Sequence, residues 1–80
     1  MVVNLDSKNF EQVIGSGKVL VKFTAEWCTY CRMLEPLIQQ LAEELDGQAV
    51  VAELDTDANE EIAARFEVMT IPTVILFKDG

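Results

Sequence analysis

The chain has 80 residues, half of them hydrophobic and a quarter charged. That is the composition of one compact domain, 1–80, whose small core buries roughly 60–65% of the unfolded surface. Fourteen acidic against six basic side chains give a formal charge of −8, a surface that repels a phosphate backbone or an anionic membrane, so neither nucleic acid nor membrane is an expected partner. The opening segment, MVVNLDSKNF, lacks the basic region and continuous apolar stretch of an export signal. No apolar run approaches the length needed to span a bilayer, and the expected compartment is cytoplasmic.

In chain order, Val2 to Leu5 reads as a short strand, and Asp6 and Ser7 as the start signal of a helix that presents Phe10, Val13 and Ile14 on one face. Gly15 to Gly17 (GSG) ends that helix, and KVLVKFT, from Lys18, predicts a strand buried on both faces. A long helix follows, with Leu34, Leu37, Ile38, Leu41 and Leu45 at helical spacing as far as Gly47. Pro36 lies inside it, removes the hydrogen bond to the Arg32 carbonyl and predicts a kink. QAVVAELD predicts another buried strand, and DANE reads as a capping box with Asp57 as N-cap and Glu60 as its reciprocal partner. The helix it opens would turn Ile62 and Phe66 inward and stop near Val68, before a last strand at Thr73 to Phe77. The order β-α-β-α-β-α-β predicts an α/β sandwich with helices on both faces of a sheet.

Two motifs carry no function. GSGK resembles the end of a phosphate-binding loop, but Val19 stands where Ser or Thr is required and the segment leads into a strand. DTDANE begins like a calcium loop, yet the required glycine is Glu60 and the closing glutamate is Phe66. The chemistry falls to EWCTYC, which holds both cysteines of a chain without histidine. Cys28 and Cys31 could be two small buried apolar residues or half a zinc site. Zinc would need two further ligands from a second chain. The reading that fits is a redox pair, because residues three apart at a helix start place both sulfurs on one side. The free backbone N–H groups and the positive dipole end there would draw the Cys28 pKa down from about 8.5 without help from an imidazole.

VKFTAEWCTYCRMLEP followed by IPTVILFKDG resembles the thioredoxin family over essentially the whole chain. The resemblance implies a three-layer α/β sandwich lacking the family's usual final strand and helix, and a thiol-disulfide oxidoreductase that reduces protein disulfides. It gives Cys28 the attack on substrate and Cys31 the resolution of the mixed disulfide. It makes Trp27 the active-site indole and places Pro72 in the cis-proline loop, with Thr70 and Ile71 beside it and Tyr30 between the cysteines as further substrate contacts. No cofactor or metal is implied. The expected partners are protein disulfides and an electron donor, either a thioredoxin-reductase-like flavoprotein or glutathione. The alternative is a binding module or structural fragment that keeps the fold and turns over poorly.

Three departures stand out. Thr29-Tyr30 replaces the family's Gly-Pro and is similar to the Pro-Tyr of glutaredoxins, so the redox potential is not inherited. The missing final elements would leave an apolar face and the edge of the last strand open, predicting low stability, weak self-association or both. Lys22 stands where the family has a buried aspartate, and Glu53 where it has a lysine. Each interrupts an apolar run in which an unpaired charge would be costly. The expectation is a Lys22–Glu53 ion pair, with Glu53 accepting the Cys31 proton and Lys22 favouring thiolate.

Overall fold

The computed structural model describes residues 1–80, and its seven elements follow the expected order. They are β1 (Val2–Leu5), α1 (Phe10–Ile14), β2 (Lys18–Thr24), α2 (Thr29–Glu44), β3 (Val50–Asp55), α3 (Glu60–Arg65) and β4 (Thr73–Lys78). The four strands form one sheet in the order β1-β3-β2-β4. β3 runs parallel to both β1 and β2, while β4 pairs antiparallel with β2. Parallel neighbours joined by helical crossovers need cover on both faces of the sheet, and the alternation of side chains along each strand meets that need.

Val19, Val21 and Phe23 of β2, Ala52 and Leu54 of β3 and Phe77 of β4 point to the face covered by α1 and α3, where they pack with Phe10, Ile14 and Ile62. Phe10, Phe66 and Phe77 meet there as three tilted or edge-on aromatic pairs, with centroids 5.1 to 6.0 Å apart. The opposite face carries Leu20 and Val51, which pack against Ile38 and Ala42 of α2. Lys22 and Glu53 belong to this second face by the same alternation, and the sheet register sets them directly opposite each other.

Several element ends differ from the sequence expectations. α1 begins at Phe10, because the Asp6 carboxylate accepts from the N–H groups of Lys8 and Asn9 and folds the entry into a turn. The capping box is not formed. Asp55 closes the turn by accepting from Asp57 N and Ala58 N, which delays α3, and Asn59 occupies the N-cap position with no side-chain cap bond. α3 ends at Arg65, three residues short of Val68. α2 runs through Pro36 as one helix. Its buried row is Cys31, Ile38 and Ala42, whereas Leu37, expected on the inward face, is 56% exposed. The GSG turn ends on Gly17 at φ 72°, the left-handed region a glycine adopts without strain.

Candidate active site

The site is built where β2 ends and α2 begins. Ala25 to Trp27 bridge the two, and Cys28 is the N-cap of α2, with extended backbone and its Sγ accepting from the N–H of Cys31 at 3.1 Å. Cys28 and Cys31 are joined as a disulfide, with Cα atoms 5.2 Å apart. The pair packs against Ala25 and Ile71. A cysteine that opens a helix, one turn ahead of its partner, is expected at the surface, yet in this oxidised form Cys28 is 5% exposed and Cys31 1%. Ala25, Ile71 and the first turn of α2 shield both sulfurs.

Beside the disulfide lies an open groove lined by Trp27, Thr56, Val68, Met69, Thr70 and Ile71. Trp27 is two-thirds exposed and anchored by its Nε1, which donates to Asp57 at 2.7 Å. The carboxylate assigned from sequence to a helix cap therefore fixes the indole instead. The Ile71–Pro72 peptide is cis and leads directly into β4. Tyr30 points away into solvent, 73% exposed and outside the groove. The structure thus gathers Trp27, Thr70 and Ile71 along one groove and leaves Tyr30 apart. Thr56, Val68 and Met69 are groove residues that the sequence did not mark as part of a site. A methionine immediately before Thr-Ile-Pro was the available signal for Met69.

Below the disulfide, on the α2 side of the sheet, Lys22 is 1% exposed. Its Nζ donates to the carbonyl of Cys31 at 2.8 Å, to Glu53 Oε2 at 3.2 Å and to Glu35 Oε1 at 3.3 Å. A buried ammonium has three N–H groups to satisfy, and these three acceptors satisfy them. Glu35 was not among the expected site residues. It lies four residues beyond Cys31 on α2, the spacing that stacks two side chains on one helical face. Burial, followed by the neighbouring Glu35 carboxylate, raises the Glu53 pKa above its ordinary 4.5, against the pull of Lys22. The Glu35 pKa is lowered, first through its interaction with Glu53 and then by Lys22. Both carboxylates open onto a cleft of about 670 Å³ between the end of the sheet and α2.

A disulfide at a helix N-terminus, a cis-proline loop beside it and a mixed sheet with helices on both faces define a thiol-disulfide oxidoreductase. The family assignment agrees: the sequence model described as Thioredoxin matches residues 1–80. The thioredoxin of Staphylococcus haemolyticus is 48% identical over 79 residues, covering 99% of this chain and 76% of that protein. The thioredoxin of Staphylococcus saprophyticus has the same identity and coverage, and one from Staphylococcus aureus is 43% identical over the same span. The chain belongs to the thioredoxin family.

Proposed function

We propose that the chain reduces protein disulfides, with Cys28 as the nucleophile and Cys31 as the resolving thiol. The observation that carries this reading is the Cys31 N–H donating to Cys28 Sγ at the first turn of α2, a donor that favours the negative sulfur over the neutral one. The Cys28 thiolate attacks one sulfur of the substrate disulfide, forming a mixed disulfide and expelling the other substrate sulfur as thiolate. Cys31 then loses its proton to Glu53 and attacks Cys28 Sγ, which releases the second substrate thiolate and leaves Cys28–Cys31 oxidised. Two electrons pass from the dithiol to the substrate, and a flavoprotein reductase or glutathione restores them. Trp27, Thr70, Ile71 and Pro72 contact the substrate strand along the groove, and Tyr30 meets the parts of the substrate beyond it. Lys22 holds Glu53 in place and favours thiolate at the dithiol. The reading suits a cytoplasmic protein.

Insulin reduction driven by dithiothreitol tests the nucleophile: Cys28→Ser abolishes turnover, while Cys31→Ser accumulates the mixed disulfide. Limiting iodoacetamide on the reduced protein labels Cys28 first, and preferential labelling of Cys31 would reverse the two roles. Glu53→Gln slows resolution of a preformed mixed disulfide and alters its pH dependence, with less effect on the initial attack. A pH–rate profile that overlays wild type removes Glu53 as the base.

A further inference from the structure

A lysine paired with one buried glutamate makes a neutral unit, and in such a unit the cation holds the carboxylate ionised and makes it a poor proton acceptor. The cluster beneath Cys31 is not neutral in this way. Lys22 Nζ is within 3.3 Å of a carboxylate oxygen on each of Glu35 and Glu53, so one cation faces two anions. We propose that Glu35 is a positioning residue for proton transfer: its charge leaves the Lys22 cluster one proton short of neutrality, and this turns Glu53 into an effective acceptor for the Cys31 proton. The inference rests on the reading of Glu53 as the base and adds the residue that makes that role possible.

Three observations support it. Lys22 is almost wholly buried, so its single positive charge is screened little by water and must be shared between the two acceptors. The Glu53 side chain is 13% exposed and the Glu35 side chain 40%, so the surplus negative charge lies at the edge of the interior, where gaining a proton relieves it. The direction of the Glu53 shift, upward from burial and from Glu35, is the one such a surplus requires. The other charged groups at the cleft are Asp6 beyond β1, Glu26 before α2, Asp55 at the end of β3 and Arg32 on α2. Arg32 is engaged with the Glu26 carbonyl through both Nε and Nη2. The Glu53 shift itself comes from burial, Glu35 and Lys22.

The proton balance is simple. Before resolution, Cys31 carries a thiol proton, and Glu35, Glu53 and Lys22 together carry one net negative charge. When Cys31 becomes the attacking thiolate, its proton passes to the carboxylate pair, which becomes neutral with Lys22. Glu53 and Glu35 both line the cleft, so the proton they gain has an exit to solvent. Glu53 then returns the proton to solvent by that exit.

The test reads Glu53 directly. Side-chain carboxyl 13C NMR on the oxidised protein, free of thiol titration, follows Glu53 in wild type, Glu35→Gln and Glu35→Asp. The Gln change is isosteric and sits at a partly exposed position, and the amide dispersion of the same samples reports on folding. Glu53 is expected to titrate at lower pH in Glu35→Gln and to return toward wild type in Glu35→Asp. Resolution of a mixed disulfide at pH 7 should slow by up to about tenfold in Glu35→Gln, the change that one unit of proton affinity carries. If the Glu53 titration is the same in wild type and Glu35→Gln, the inference is overturned, whatever Glu53→Gln does to the kinetics. If Glu53 shifts as expected but Glu53→Gln resolves at the wild-type rate, the assignment of the base has failed, and with it the proton-transfer role given to Glu35.

Discussion

Lys22 makes the clearest prediction at the scale of one residue. Lys22→Met keeps the length of the side chain and removes the charge, leaving Glu53 and Glu35 without their shared cation. The expected loss is about 3 kcal/mol, the low end of the cost of breaking a buried pair, because both carboxylates keep some contact with water. The loss should shrink at acid pH, where a protonated Glu53 no longer needs a partner, and urea midpoints across pH measure both effects. The two glutamates also tie overall stability to pH in opposite directions. Glu53 binds its proton more tightly folded than unfolded, so stability falls as pH rises from 4.5 through its raised folded value. Glu35 binds its proton less tightly folded, so its contribution is lost as pH falls from 4.5 through its lowered folded value. Glu53→Gln should therefore flatten the decline above pH 4.5, and an unchanged slope there would mean that Glu53 titrates alike in both states. The pairing of Lys22 with Glu53 was legible because each broke an apolar run. Glu35 was harder to see, since its signal was membership of the row 31, 35, 38, 42, whose 4-3-4 spacing marks the buried stripe of α2. Leu37 drew attention by being apolar, and it lies outside that row.

Among the elements, α2 depends on Cys28 for its first turn, because the sulfur accepts the Cys31 N–H that helix geometry leaves free. A serine oxygen makes the same bond, and an alanine cannot. Under reducing conditions Cys28→Ala should be less stable than Cys28→Ser by about 1 kcal/mol, the usual worth of an N-cap, although both are inactive. Equal urea midpoints for the two variants would mean that the cap contributes nothing once the disulfide is open. The strand and helix order was legible because short continuous apolar runs such as KVLVKFT and QAVVAELD alternate with segments whose apolar residues keep helical spacing. The start of α3 was not. Asp55, Asp57 and Asn59 all accept or donate at that turn, and sequence spacing alone does not say which of several short polar side chains takes the backbone and which takes Trp27. The groove shows the same limit: Trp27 and Ile71 were identified through motifs, while Thr56 and Val68 come from segments with no site motif and are brought there by the fold.

At the scale of the whole molecule, the two faces of the sheet are unequally covered. α2 lies over β3 and β1, and it reaches Leu20 and Lys22 of β2. Val74 and Leu76 of β4, the register partners of Lys22 and Leu20, lie on that same face, 48% and 60% exposed. β4 is also an end strand of the sheet, so unpaired backbone groups border this apolar strip. Leu37 adds a further exposed side chain from α2 on the same side. The 80-residue chain is therefore expected to self-associate as its concentration rises. The net charge of −8 opposes this, and salt screens that repulsion, with a Debye length of about 10 Å at 0.1 M. Sedimentation velocity should show the average mass rising with concentration and, at fixed concentration, with sodium chloride. Leu76→Lys places a charge in the centre of the strip and should restore the monomer without weakening the core, since Leu76 is exposed already. A strict monomer at all salt concentrations would show that the strip is too small to hold two copies together. Association that weakened with salt would show that charge pairing, not apolar burial, joins them.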